Sequence, residues 1–137
     1  MRTVPLEIVT PDRLVYKDDV NMVIARGGDG DLGVLRGHMP LMTTLKPGIV
    51  RIKKNNAEEQ FVVTSGFMDV TPERVVILAD TAESPQEIDV DRARAAKERA
   101  EKRLAGKDDS VDVERAKKAL ERAELRLKAA LQKNKAI

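Results

Sequence analysis

The chain has 137 residues, no cysteine, one histidine, 2% aromatic residues and a formal net charge of +2. That length suits one domain with an appendage, and the lack of cysteine excludes disulfide frameworks and thiolate metal or redox sites. No apolar run approaches the roughly 20 residues needed to cross a bilayer and no signal-peptide pattern opens the chain, so a soluble protein retained in its compartment of synthesis is expected.

Val4, Leu6 and Ile8 alternate with Thr3, Pro5 and Glu7, which reads as a half-buried strand ending at the turn Thr10-Pro11-Asp12. Leu14–Tyr16 and Val20–Ala25 continue the strand vocabulary, with Val20, Met22 and Ile24 expected on one face. Gly27-Gly28-Asp29-Gly30 supplies positive-φ positions for a tight turn, after which Asp31–Leu35 resumes and Arg36-Gly37-His38-Met39-Pro40 breaks again. Gly48–Lys53 alternates clearly, and Lys54-Asn55-Asn56-Ala57 closes a hairpin into Gln60–Thr64. Gly66 then separates Phe67–Thr71 from what precedes it, and Thr71-Pro72-Glu73 turns into Val75–Ala79. About nine short strands at this spacing predict a sandwich or flattened barrel. The pairing of Met39 to Lys46 stays unassigned.

The character of the chain changes between Ser84 and Ala93. After that stretch there is no proline, Gly106 is the only glycine, and Ala, Lys, Arg, Glu and Leu dominate. Two helix starts compete: Ser84-Pro85-Gln86-Glu87 fits a capping box with proline at the first helical position, and Asp89 is a second N-cap. Apolar seams follow, first Ala93, Ala96, Ala100 and Leu104, then Val113, Ala116, Leu120, Ala123, Leu127 and Ala130, separated by a polar interruption from Gly106 through Ser110. They predict an antiparallel helical hairpin, so the fold class is α+β, with a β domain over 1–84 and a hairpin over 85–137. Alanine methyls bury little area: some seven contribute about 5 kcal/mol before ordering costs, which makes the hairpin marginal and able to open.

Charge divides along the same line. Residues 1–87 carry 10 basic and 13 acidic side chains, whereas 88–137 carry 15 and 10, so the second part would favour an anion or an acidic surface. No catalytic constellation emerges. His38 is a lone loop histidine, the Gly27–Gly30 stretch lacks the Lys-Ser or Lys-Thr of a phosphate loop, and Asp29 with Asp31 falls short of a calcium ligand set. The arginines are more informative. Asp89, Arg92 and Arg99 share one helix face, and Arg122 and Arg126 share a face of the other helix. Two readings are open: converging guanidiniums for a polyphosphate, or a solvated face laced with pairs such as Glu98–Lys102, Glu114–Lys118 and Glu124–Lys128.

Several stretches together resemble the epsilon subunit of the bacterial rotary (F-type) ATP synthase over the whole chain. They are Val9-Thr10-Pro11-Asp12, Gly30-Asp31-Leu32-Gly33-Val34-Leu35-x-Gly37-His38-x-Pro40-Leu41, Leu45-Lys46-Pro47-Gly48, Ser65-Gly66-Phe67-x-x-Val70 and Ile88-Asp89-x-x-Arg92-Ala93. Arg36 departs from the pattern, where the family usually has proline. The resemblance implies a non-catalytic rotor subunit, peripheral on the cytoplasmic face of the bacterial membrane without inserting into it. Its sandwich attaches to the gamma subunit and the c-ring, with Asp31 and His38 matching the contact region. The hairpin, when extended, runs towards the alpha/beta catalytic hexamer and inhibits ATP hydrolysis. In some members the folded hairpin binds ATP as a regulatory ligand, with or without Mg²⁺. Glu83, Ile88, Asp89, Arg92 and Ala93 stand at the motif positions, and Arg99, Arg122 and Arg126 match the remaining cationic ones.

Two other functions compete. A nucleic-acid-binding β domain with a basic tail is disfavoured because the acidic β part offers only Tyr16, Phe61 and Phe67 as stacking platforms, so no nucleic-acid partner is expected. A purely structural adaptor would bind through the alanine seam without regulating anything.

Overall fold

Alternating branched apolar and polar residues lay down ten strands among the described residues: β1 (Val4–Thr10), β2 (Arg13–Val20), β3 (Met22–Gly27), β4 (Gly30–Val34), β5 (Leu41–Leu45), β6 (Gly48–Lys54), β7 (Ala57–Val63), β8 (Gly66–Thr71), β9 (Arg74–Ala79) and β10 (Ala82–Glu83). The structure, a computed structural model, describes residues 2–106 and 112–135. The strands pair in the order β10-β7-β6-β3-β5-β8-β9-β1-β2, with β4 also on β3. Every pairing is antiparallel except that of β1 with β9.

The sheet folds over at Gly27, which faces Leu45 of β5. There the Gly28 N–H donates to Thr44 O at 3.2 Å and the Lys46 N–H to Arg26 O at 3.0 Å. The inner faces of the two layers share one core in which Leu6, Ile8, Ile52, Met68 and Ile77 are fully buried. A bulge between Ile8 and Val9 sets Val9 opposite Leu14 and leaves Val15 as the extra residue of β2. The far edge closes on the other layer through Tyr16, whose ring meets Phe61 edge-on at 5.5 Å. Burial, with the nearby Glu59 and Asp18 charges, pushes the Tyr16 phenol up to about 12. Asp18 also pairs with Lys54, which holds the carboxyl below its usual range.

Three details differ from the sequence reading. The unassigned stretch holds β5, paired along its whole length with β8, and β10 adds a tenth strand. Val20–Ala25 is not one strand. Asn21 interrupts it, its N–H donating to Lys53 O at 2.8 Å and its side-chain amide to Arg2 O at 3.3 Å. Val20 therefore closes β2, while β3 buries Val23 and Ala25 and turns Met22 and Ile24 to the outer face. The turn at Asn55-Asn56 has φ of 48° and 68°, the paired positive values of a type I′ hairpin. At the glycine-rich turn Gly27-Gly28-Asp29-Gly30 only Gly30 takes positive φ.

The described residues divide into two compact units, Met1–Ser84 and Pro85–Ile137. In the second, a 3₁₀ turn (Pro85–Glu87) precedes α1 (Val90–Ala105) and α2 (Val113–Lys135). α2 packs along α1 and also reaches the 3₁₀ turn ahead of it, so the helices run antiparallel. Of the expected interruption, only Gly106 lies within the described residues; its N–H donates to Lys102 O at 3.0 Å. The fold is α+β, a β-sandwich followed by a helical hairpin.

Candidate functional site

The motif Ile88-Asp89-x-x-Arg92-Ala93 forms the start of α1. Asp89 is the N-cap, with extended backbone (φ −81°, ψ 103°) and its Oδ1 accepting the Arg92 N–H at 3.1 Å. Its carbonyl accepts the Ala93 N–H at 3.0 Å, the first α-helical bond. Ile88 is buried, and its N–H donates to Pro85 O at 3.3 Å, closing the 3₁₀ turn. Both sequence signals are thus used, the first as a turn and the second as the helix start. Asp112 caps α2 in the same way, accepting the Arg115 N–H at 3.1 Å.

Among the described residues, the buried ones of the helices are all alanine: Ala93 and Ala100 on α1, and Ala116, Ala123, Ala129 and Ala130 on α2. Ala96, Leu104, Leu120 and Leu127 of the expected seams are half-buried, whereas Val113 is exposed. With no side chain beyond Cβ at the deepest positions, the helices approach closely.

Arg92, Arg99 and Arg122 each immediately precede a buried alanine, so each lies about 100° round its helix from the seam. Arg126, four residues after Arg122, falls in the same row. On antiparallel helices, positions preceding the seam lie on the same side of it, so these four arginines flank one side of the hairpin. Arg92 and Arg99 are exposed, and Arg122 and Arg126 are half-buried. Arg115 belongs to the same row and was missed by the sequence reading. The signal was available as an acidic residue, arginine and alanine in succession at 91–93, 98–100, 114–116 and 121–123, seven residues apart within each helix. Such a row of guanidiniums suits an elongated polyanion. Glu83 lies on β10 in the first unit, opposite Val62. Among the described residues no group of acidic, histidine or cysteine side chains could hold a metal ion.

On the sandwich, Asp31 and His38 sit at opposite ends of β4. Asp31 is exposed beside the β3–β4 turn, opposite Arg26. His38 follows the strand's other end, its N–H donating to Leu35 O at 3.1 Å, with Nδ1 2.7 Å from Met39 O. Gly37, at φ 83°, ties this loop to the next turn by donating to Pro72 O at 2.9 Å. Register adds a surface that single-strand periodicity does not reveal. Thr44, Phe67, Leu78, Val9 and Leu14 are successive partners across β5, β8, β9, β1 and β2. They form one mostly apolar ribbon on the outer face, with Phe67, Leu78 and Leu14 each about half exposed and Met42 in the adjoining row 69% exposed. Contiguous exposed apolar area of this kind is uncommon on the surface of a monomer. The opposite outer face carries Arg51, Lys53, Glu58 and Gln60, with Arg51 paired to Glu58 at 2.8 Å.

Comparison with known proteins agrees across both units. Residues 3–85 match the β-sandwich domain of the ATP synthase delta/epsilon chain, and residues 86–130 match its long α-helix domain. The chain is 55% identical over 106 residues to the ATP synthase epsilon chain of Desulforudis audaxviator, covering 77% of each. It is 56% identical over 104 residues to that of Alkalihalophilus pseudofirmus, covering 76% of this chain and 78% of the other. Among solved structures it superposes on a chain of the Euglena gracilis mitochondrial ATP synthase OSCP/F1/c-ring structure with a TM-score of 0.81 at 29% identity, over 94% of this chain and 81% of that one.

Proposed function

The chain belongs to the ATP synthase delta/epsilon family as an epsilon chain, and from that premise we propose that it is a non-catalytic subunit of the rotating central stalk, one half anchor and one half regulatory arm. The observation that carries this reading is the contrast in packing. The sandwich core is built from Leu, Ile, Met, Val and Phe, whereas among the described residues the buried positions of the helices are alanines, with Leu104, Leu120 and Leu127 half-buried beside them. A large-side-chain core resists deformation, while an alanine seam separates at small cost. The anchor would couple the catalytic head to the ring, with the apolar ribbon docking the gamma subunit and the acidic turn at Asp31 meeting the c-ring.

The arm would hold ATP along its arginine row when closed, and reach the alpha/beta hexamer and inhibit ATP hydrolysis when open. Ile88, Asp89 and Ala93 shape the start of that row; Arg92, Arg99, Arg122 and Arg126 supply charge, and Mg²⁺, if it accompanies ATP, would come with the nucleotide. No described helix is long and apolar enough to cross a membrane; the place proposed for the subunit is peripheral, on the cytoplasmic face.

Anchoring is tested by replacing Phe67 and Leu78 together with glutamate. Both side chains point outward, so the variant should keep its β circular dichroism and thermal midpoint yet lose at least a hundredfold in affinity for gamma in reconstitution. Unchanged affinity would move the docking surface elsewhere.

A further inference from the structure

We propose that the boundary of α1 is a two-position switch. With the hairpin closed the helix starts at Asp89; with it open the helix starts at Ser84 and takes the 3₁₀ turn into itself. The inference rests on the reading of the hairpin as a part that opens.

Ser84-Pro85-Gln86-Glu87 meets every local requirement of a helix start: a hydroxyl N-cap, proline at the first helical position and glutamate two residues later. Gln86, Glu87, Ile88 and Asp89 include no glycine or proline, so nothing in their chemistry forbids one helix from Pro85 to Ala105. Yet the helix is interrupted, at a point where α2 packs on the turn. Ile88 is 9% exposed, and α2 rests on the turn just before it. Withdrawing α2 removes its contact with the turn, and the earlier helix start then becomes available.

In the longer helix the N–H groups of Asp89, Val90, Asp91 and Arg92 would bond to the carbonyls of Pro85, Gln86, Glu87 and Ile88. Asp89 Oδ1 would then lose the Arg92 N–H that it holds at 3.1 Å in the short form. The five added residues lengthen α1 by about 7.5 Å at 1.5 Å per residue. The start of the helix is also where Asp89, Arg92 and Ala93 gather. A polyanion bound there would favour the short form, which links ligand occupancy to arm length through one moving helix end.

A single substitution separates the two forms. Val90 is the first residue of the short helix, where proline is tolerated, and Asp89 already has the extended backbone that a following proline requires. In the long helix, proline at 90 would lack the N–H owed to Gln86 O and its ring would clash with that carbonyl. The experiment follows backbone chemical shifts and amide exchange at residues 86–91 in the full chain. It compares the native sequence, a hairpin opened by Ala116→Glu with Ala123→Glu, and the opened hairpin carrying Val90→Pro. Opening should give residues 86–89 helical shifts and slow exchange at Asp89 and Asp91 at least tenfold, and Val90→Pro should abolish both changes. Residues 86–89 remaining non-helical in the opened chain would overturn the proposal. If the double variant aggregates, Ala123→Glu alone is read by the same shifts. Val90→Pro in the otherwise native chain supplies a second check: its thermal midpoint should hold or rise, and a fall of several degrees would overturn the claim that the short start accepts proline. Hydrolysis assays on the reconstituted enzyme keep the two ideas apart. If the opened chain shows the boundary shift without inhibiting, the regulatory reading fails and the switch stands.

Discussion

At Gly66 the backbone takes φ +155°, and a Cβ there would lie 1.8 Å from Leu78 O. Neither the torsion nor the contact can relax without moving β9, so Gly66→Ala should cost about 2–4 kcal/mol in urea unfolding. Gly33→Ala is the control. Its Cβ would meet only the mobile end of Met22, at 2.7 Å, and the loss should stay below about 1 kcal/mol. Glu58 offers a test of pH dependence. Its bond to Arg51 holds the carboxyl below the ordinary 4.5, so its contribution is present above that value and lost as pH falls through the folded-state value. Glu58→Gln should therefore lower the thermal midpoint slightly at pH 7, and the difference from the native chain should vanish in acid; a constant gap would contradict the pairing. Residue by residue, the Asn55-Asn56 turn was legible because asparagine tolerates positive φ. Met22 and Ile24 were misplaced because the chain breaks at Asn21 between β2 and β3, so the buried positions resume at Val23 instead of Met22.

Among the elements, those with strong periodicity declared themselves and those defined by distant partners did not. The seams of α1 and α2 repeat every three or four residues, and two of their boundaries are fixed by local caps at Asp89 and Asp112. β5 lies between Pro40 and Pro47, exposes Met42 and Thr44, and owes its existence to β8, more than twenty residues later. The apolar ribbon was hidden for the same reason, since each strand contributes one residue and only register aligns them. The arginine row was legible in part, and Arg115 became visible once alanine burial fixed the seam. Arg92→Ala and Arg126→Ala should each weaken ATP binding to the isolated subunit by roughly ten- to a hundredfold, the value of one charge-assisted contact. Lys117→Ala, on the other side of the seam from the row, should change affinity less than twofold. Calorimetry decides, and equal small effects for all three would return the arginines to a solvated face.

For the molecule as a whole, the described residues fall into two compact units, Met1–Ser84 and Pro85–Ile137. The arm can be held shut. Ala100 and Ala116 are both buried and fall near the end of the hairpin where α1 finishes and α2 begins, and the chain has no cysteine to interfere. Ala100→Cys with Ala116→Cys should oxidise to a disulfide that leaves assembly intact and relieves inhibition of ATP hydrolysis, with reduction restoring it. Full inhibition by a quantitatively oxidised subunit would show that opening is not how the protein acts. The lone parallel pairing carries a different consequence. β1 sits between β2 and β9, so Val9 must wait for Leu78, and closing a loop of about 70 residues has an entropic cost that no local contact offsets. The β1–β2 hairpin can form locally, but the sheet cannot close on β1 until β9 is available, which puts completion of the anchor on the slow timescale of non-local β proteins. The helices need only neighbours and form far sooner. In refolding, the arm is ready before the body that is to carry it.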